Sequence, residues 1–365
     1  MPPTPLLDVT ALQALLARDD PRRRGPRGPT VLDVRWRLGD AHGAAAYAAG
    51  HVPGAAYVDL PTDLAGPAAP DGRGGRHPLP DPDRLAEALR RVGVDDGRPV
   101  VVYDDWGGRA AARAWWLLRW LGHDDVRVLD GGWSAWVAAG AAVEETATAE
   151  RPSRRGTFTP RPGSMPVVDA AGVAAGAAAG AAAVLVDARD APRYAGEHEP
   201  VDPVAGHVPG AVNVPTGANL DDTGRFLPAG RLRETYARVG AVAGTPVVAY
   251  CGSGITACHD VLALEVAGVP AALYAGSWSD WVSDPWISWT RCRASRAAIA
   301  LVRSVRTSRT GWWSVARRRR VTCWTWASSS AAGVHSSGPR RGVVVSTRLS
   351  ATSVVRSPGL TWNVA

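Results

Sequence analysis

Gly50-His51-Val52-Pro53-Gly54-Ala55 returns letter for letter as Gly206-His207-Val208-Pro209-Gly210-Ala211. Working outward, the neighbouring blocks repeat as well. Upstream, Val31-Leu32-Asp33-Val34-Arg35 is echoed by Leu185-Val186-Asp187-Ala188-Arg189. Downstream, Pro99-Val100-Val101-Val102-Tyr103 matches Pro246-Val247-Val248-Ala249-Tyr250, and Gly131-Gly132-Trp133-Ser134-Ala135-Trp136 matches Gly276-Ser277-Trp278-Ser279-Asp280-Trp281. The spacing drifts from 156 residues at the first pair quoted to 145 at the last, as loop insertions and deletions would make it. Four blocks in the same order establish a duplicated domain.

Each copy alternates strands and helices. The runs ending at Asp33, Tyr103, Asp187 and Tyr250 are short, apolar and β-branched, as buried parallel strands require. Residues Asp83–Arg90 place Leu85 and Leu89 one helical turn apart, and Arg231–Val239 occupies the corresponding place in the second copy. A further helix follows each second strand, over Ala110–Leu121 and Thr256–Ala267. The predicted fold class is α/β: two tandem domains, each a mainly parallel sheet flanked by helices. The boundaries read as 1–145 for the first domain, 146–166 for a linker and 167–284 for the second domain. The Ala/Gly stretch Ala170–Ala183 reads as a poorly patterned helix, because a strand follows at once.

The charge is unevenly placed. Residues 285–365 contain fourteen Arg and no Asp, Glu or Lys. Of the 41 basic residues, 27 therefore remain to set against all 34 acidic ones in residues 1–284, a balance of −7. The overall +7 belongs to the tail, and the acidic body argues against nucleic-acid binding. The tail is Arg-, Trp- and Ser-rich, and its sudden loss of acidic residues reads as disorder or the product of a shifted frame. The alternative is a basic arm acting through Arg317–Arg320. No apolar stretch is long enough for a bilayer span, and the N-terminus lacks a signal-peptide pattern. Four Cys at uneven spacing make neither a disulfide framework nor a zinc site. The expected compartment is the reducing cytoplasm.

Cys251 lies where chemistry is expected. Open α/β sheets bind ligands beyond the carboxyl ends of their strands. Cys251-Gly252-Ser253-Gly254-Ile255-Thr256-Ala257 turns from the strand ending at Tyr250 into a helix. Its two glycines let successive N–H groups face inward as an anion nest, which favours thiolate over thiol and would equally hold a persulfide. The plainer reading, a buried structural cysteine, suits Cys258 two helical turns further on.

The ordered set Asp187-Ala188-Arg189, Arg193-Tyr194, Gly206–Ala211, Cys251–Ala257 and Gly276–Trp281 resembles the tandem rhodanese family, within it the 3-mercaptopyruvate and thiosulfate sulfurtransferases. The resemblance covers roughly residues 6–284. It implies two rhodanese-like domains, the first inactive, the second catalytic through a persulfide on Cys251. In keeping with it, Asp104 follows Tyr103 where Cys251 follows Tyr250. The family's substrate arginine falls on Arg193, and Gly252, Ser253, Gly254, Ile255 and Thr256 become the substrate-binding loop. The implied reaction moves sulfur from 3-mercaptopyruvate to a thiol, such as a thioredoxin-like protein, or to cyanide. Thiosulfate is the alternative donor, disfavoured because the loop has no cation of its own. No cofactor and no metal is called for.

Other residues carry less. His51 and His207 sit in identical motifs, one of them in the copy without a nucleophile, so both read as structural. Trp133, Trp136, Trp278 and Trp281 read as core aromatics. Arg76 and His77 lie in a long loop of the first copy and have only a weak claim to touch substrate. Rhodanese-like phosphatases need Cys-x5-Arg, but Ala257 stands where that arginine would be. A non-catalytic partner-binding module is disfavoured by the intact cysteine and glycine loop.

Overall fold

A computed structural model of the chain describes residues 4–18, 28–40, 42–146, 154–178 and 183–284. The expectations for 285–365, for residues 147–153 of the linker and for the end of the Ala/Gly stretch lie outside the described residues.

Ten short strands form two sheets. The first holds β1 (Leu6–Leu7), β2 (Thr30–Asp33), β3 (Ala56–Tyr57), β4 (Val100–Tyr103) and β5 (Val126–Leu129), in the order β1-β5-β4-β2-β3. The second holds β6 (Val167–Val168), β7 (Val184–Asp187), β8 (Val212–Asn213), β9 (Val247–Tyr250) and β10 (Ala272–Tyr274), in the order β6-β10-β9-β7-β8. Every strand pair is parallel. The register is also the same, with Asp33 opposite Tyr103 in one sheet and Asp187 opposite Tyr250 in the other.

The predicted helices are present as Pro82–Arg91, Arg109–Trp120, Ala229–Ala237 and Ala257–Val266. Asp81 caps the first, accepting from the N–H groups of Asp83 and Arg84. The helix Ala170–Ala178 runs ahead of β7. Residues 154–166 are a strap laid on the first domain. Gly156 donates its N–H to Arg90, Phe158 to Val94 and Arg161 to Leu121, and Phe158 is buried.

The repeated blocks converge in space, which accounts for their repetition. In the first domain Arg35 forks onto Asp33 at 2.6 Å and donates to the Gly50 carbonyl at 2.7 Å. In the second, Arg189 does the same to Asp187 at 2.6 Å and Gly206 at 2.7 Å. Both ion pairs are buried, so each charge needs this partner. The hydroxyls of Tyr103 and Tyr250 accept the N–H of Val52 and Val208. Trp133 and Trp278 each cover a guanidinium at 4.8 Å from ring centroid to Cζ. Trp136, Trp278 and Trp281 are core residues as expected, whereas Trp133 is half-buried. His51 and His207 donate from Nδ1 to the carbonyls of Tyr47 and Tyr194 and stack on those rings. Their role is structural, in keeping with their presence in both copies.

Candidate functional site

β9 ends at Tyr250, and the next residue, Cys251, is 1% exposed. The loop behind it is fixed from the Gly276–Trp281 block. Ser277 accepts the Cys251 N–H at 3.1 Å, Trp278 donates to the Cys251 carbonyl, and Ser279 donates to that of Gly252. Gly254 then turns back and donates its N–H to Cys251 Sγ at 3.1 Å. Its φ of +79° and the Ala275 carbonyl, which would lie 2.1 Å from an added Cβ, admit only glycine there. The N–H groups of Gly252, Ser253, Ile255 and Thr256 have no protein acceptor among the described residues. They remain available to an anion beside the sulfur.

Of the predicted loop residues, Ser253 and Gly252 face the other side chains of the site. Ser253 Oγ lies 2.9 Å from Nδ1 of His77. A Cβ on Gly252 would meet Arg76 at 3.1 Å and Arg193 at 3.5 Å, so two guanidinium groups border this residue. The side chain of Ile255 instead enters the hydrophobic core, leaving only its backbone to act on a ligand. Thr256 precedes the helix without capping it through its hydroxyl. Cys258 is buried core, as expected, and burial pushes its thiol up to about 12.

Arg193 is held by Glu199 at 2.7 Å and by Asp202 at 3.4 Å. Arg76 reaches Asp202 from the first domain, so one carboxylate bridges the two arginines and the two domains. Glu199 also accepts from Arg189 and from the N–H groups of Val201 and Asp202; against its burial, the hydrogen bond from Arg193 and those two N–H groups hold its carboxyl below the usual range. The expectation of a single arginine therefore needs correction: the loop has two, already neutralised. Arg76 and His77, with only a weak claim from the sequence, lie in a first-domain loop that packs directly on the second domain. Gly74 donates to Asp280, and Arg76 donates its N–H to Ser279. Burial, then the nearby Arg113 and Arg76, lowers His77 to about 4, so the imidazole is neutral near pH 7. A cavity of about 330 Å³ lined by Gly75, Arg76, Val201, Asp202, Ser279 and Val282 runs along this seam.

Ser277 escaped the sequence reading, which took its block for its tryptophans alone. It is the one non-glycine residue with left-handed φ, +57°, among the described residues. Such strain is tolerated where something depends on it. Its hydroxyl lies 4.0 Å from Cys251 Sγ and donates to the Tyr274 carbonyl at 2.9 Å. A signal was present: Gly132 occupies this place in the first copy, so a side chain appears only where the cysteine does.

In the first domain Asp104 fills its own loop. Its carboxylate takes the N–H groups of Trp106, Gly108, Ala110 and Ala111 at 2.7–2.9 Å. Among the described residues no group of three or more His, Cys, Asp or Glu is placed to hold a metal, and no helix is long and apolar enough to cross a membrane.

Known proteins share this arrangement. The rhodanese-like domain model matches residues 9–139 and again 170–284. A Pseudomonas aeruginosa protein named "Probable 3-mercaptopyruvate sulfurtransferase" is 46% identical over 283 residues, covering 76% of this chain and 97% of that protein. A Mycobacterium tuberculosis protein named "Putative thiosulfate sulfurtransferase SseB" is 42% identical, covering 77% of this chain and 94% of its own. Among solved structures, the Escherichia coli 3-mercaptopyruvate sulfurtransferase SseA superposes with a TM-score of 0.64 at 30% identity, over 76% of this chain and 99% of that one. This chain is thus a member of the rhodanese family and carries the family's domain twice.

Proposed function

We propose that the protein is a sulfurtransferase that takes sulfur from 3-mercaptopyruvate onto Cys251 and passes it to a thiol or to cyanide. One observation carries the reading: Cys251 Sγ accepts a loop N–H at the end of β9, in a loop bordered by the guanidinium groups of Arg193 and Arg76. The thiolate attacks the thiol sulfur of the donor. The carbon–sulfur bond breaks, its electron pair leaves as the enolate of pyruvate, and that enolate takes up a proton. Cys251 then carries the persulfide. An acceptor thiolate, from a small thiol or a thioredoxin-like protein, or cyanide attacks the outer sulfur and releases the Cys251 thiolate.

The chain's own groups divide this work. Arg193 and Arg76, both beside Gly252, orient the donor's carboxylate. His77 Nδ1, hydrogen-bonded to the Ser253 hydroxyl at 2.9 Å, fixes that hydroxyl beside Gly252. Free loop N–H groups stabilise charge on sulfur. Cys251 and Cys258 are both free thiols, which suits a reducing compartment such as the cytoplasm.

Thiosulfate as donor is favoured by one specific observation, the second guanidinium at Gly252. Against it stands the prior neutralisation of both arginines by Glu199 and Asp202, which leaves little net positive field for a dianion. Comparing turnover of the two donors, with mass spectrometry of Cys251 after each, tests the reading. Mercaptopyruvate should add the mass of one sulfur to Cys251 and turn over faster. An unmodified Cys251 after both donors would overturn it.

A further inference from the structure

Arg113 is fully buried, yet no carboxylate pairs with it among the described residues. It sits on the first-domain helix Arg109–Trp120, in a run that is otherwise Ala, Trp and Leu. Its guanidinium lies against the Cys258 sulfur and donates to the backbone carbonyls of Gly254 at 3.2 Å, His77 and Pro78 at 3.3 Å, and Leu64 at 3.4 Å. These are long contacts to neutral oxygens, where a charge-assisted pair would be shorter. A buried cation so poorly compensated is costly and calls for an anion nearby. Cys258 is no candidate, since burial keeps it a neutral thiol whose S–H donates to the same Gly254 carbonyl at 3.3 Å.

The other sulfur, linked to Arg113 through Gly254, is Cys251. Gly254 joins the two groups: its carbonyl accepts from Arg113, and its N–H donates to Cys251 Sγ at 3.1 Å. The Gly254 carbonyl, drawn on by both Arg113 and Cys258, also polarises the peptide whose N–H belongs to Ile255.

The other domain supplies a contrast. Across the packed helices, His259 Nε2 donates to the Gly107 carbonyl at 3.0 Å, and Gly107 is the first-copy counterpart of Gly254. Burial holds His259 at about 3, so this group is neutral near pH 7. The silent loop has a carboxyl group satisfied by four N–H groups, with a neutral imidazole on the Gly107 carbonyl and the Arg109 guanidinium beside Gly107. The cysteine loop has one N–H on sulfur and a full charge behind it.

We propose that Arg113 of the silent domain is the buried counter-charge of the sulfur anion on Cys251, acting across Gly254. It is a positioning residue, not one that touches the donor. On this account the first domain contributes electrostatics to the reaction besides the wall formed by Arg76 and His77. The remaining ionisable groups around the sulfur are Cys258, His77 through Ser253, and Arg76 and Arg193 beside Gly252. The last two are already paired with Asp202 and Glu199.

The inference rests on Cys251 being the sulfur carrier, so the test reads the thiol itself. In the full-length protein, carbamidomethylation of Cys251 by iodoacetamide is followed by mass spectrometry for wild type, Arg113→Gln and Arg113→Lys, with thermal melting as a check on folding. Arg113→Gln should react about tenfold more slowly at pH 7, by loss of charge near the thiolate. The deficit should close at strongly alkaline pH, and Arg113→Lys should recover most of the rate. Wild-type reactivity in Arg113→Gln, or Arg113→Lys as slow as Arg113→Gln at every pH, overturns the proposal. If Arg113→Gln does not fold, wild type is compared with Cys251→Ser. The wild-type advantage in melting temperature should grow as the thiolate forms on raising pH, and a pH-independent difference overturns the proposal. Sulfur loading of Cys251 by mercaptopyruvate is measured separately, so a failure of the carrier role is distinguished from a failure of Arg113.

Discussion

Asp104 and Cys251 stand at the same place in the two repeats, one residue beyond Tyr103 and Tyr250, and their loops hold an anion in different ways. Around Asp104 the chain closes on the carboxylate with four N–H groups, so these donors are already taken. Around Cys251 a single N–H reaches the sulfur and four more point to no protein acceptor among the described residues. The first loop is a filled nest and the second an unfilled one.

Replacing Cys251 by Ser removes the thiol proposed to attack the donor. Sulfur transfer should fall to background with melting temperature little changed, and no sulfur adduct should form on mercaptopyruvate. Retained activity, with an adduct on Cys258, would falsify the assignment.

Asp104→Asn keeps the shape of the side chain but trades an acceptor oxygen for an amide that donates. At least one or two buried N–H groups lose their partner, at about 1–3 kcal/mol. Melting should drop by roughly 5–10 °C. Donor Michaelis constants measured well below the transition should stay near wild type, because Asp104 faces its own domain's loop.

Arg193→Ala removes the charge-assisted contact proposed to hold the donor, about 1.5–3 kcal/mol at a partly buried site. The mercaptopyruvate KM should rise tenfold to a hundredfold with a smaller effect on kcat. An unchanged KM would show that Arg193 serves only the ion pairs with Glu199 and Asp202.

Asp202→Asn tests the neutralised arginine pair. Removing the bridging carboxylate leaves Arg76 and Arg193 with only Glu199 between them, raising the positive field at Gly252. The ratio of kcat/KM for thiosulfate to that for mercaptopyruvate should rise by about tenfold. A ratio that stays put would mean the field at the loop does not set donor preference.

His77 gives the pH dependence a sign. Its folded value, about 4, lies below the ordinary histidine value of 6.5, so the unfolded chain binds the proton more readily between those limits. Stability should therefore fall as pH drops from 6.5 toward 4, by about 3 kcal/mol for this group. Burial raises the carboxyls of Asp202 and Asp260, which act with the opposite sign over their own windows. The difference in urea midpoint between wild type and His77→Gln isolates the imidazole. A difference that does not vary over this range would place His77 in a wetter setting than the packing implies.

Much of the molecule was legible in the sequence because it is written twice. The strands, the Asp-x-Arg pairs and the turn at Cys251 all follow from local patterns of a few residues. What was not legible comes from the other copy. Arg76 and His77 reach the loop across the domain seam, and no local spacing encodes a contact between Arg76 and Asp202. Arg113 did leave a trace, a charge in the middle of an apolar helix, but the residue it serves lies in the other half of the chain. Ser277 was hidden by its tryptophan neighbours, although the change from Gly132 marked it.

The twin clusters around Arg35 and Arg189 turn the chain into its own control experiment. Each half needs its arginine, its Gly-His-Val-Pro-Gly turn and its tyrosine hydroxyl merely to close, so these stay alike whatever reaction either half performs. Subtracting one half from the other removes the requirements of folding and leaves a short remainder: Cys251 against Asp104, Ser253 against Trp106, Ser277 against Gly132, Arg193 against Ala46. That remainder is the place to exchange residues when moving chemistry from one half to the other, since the scaffold beneath it is already held in common.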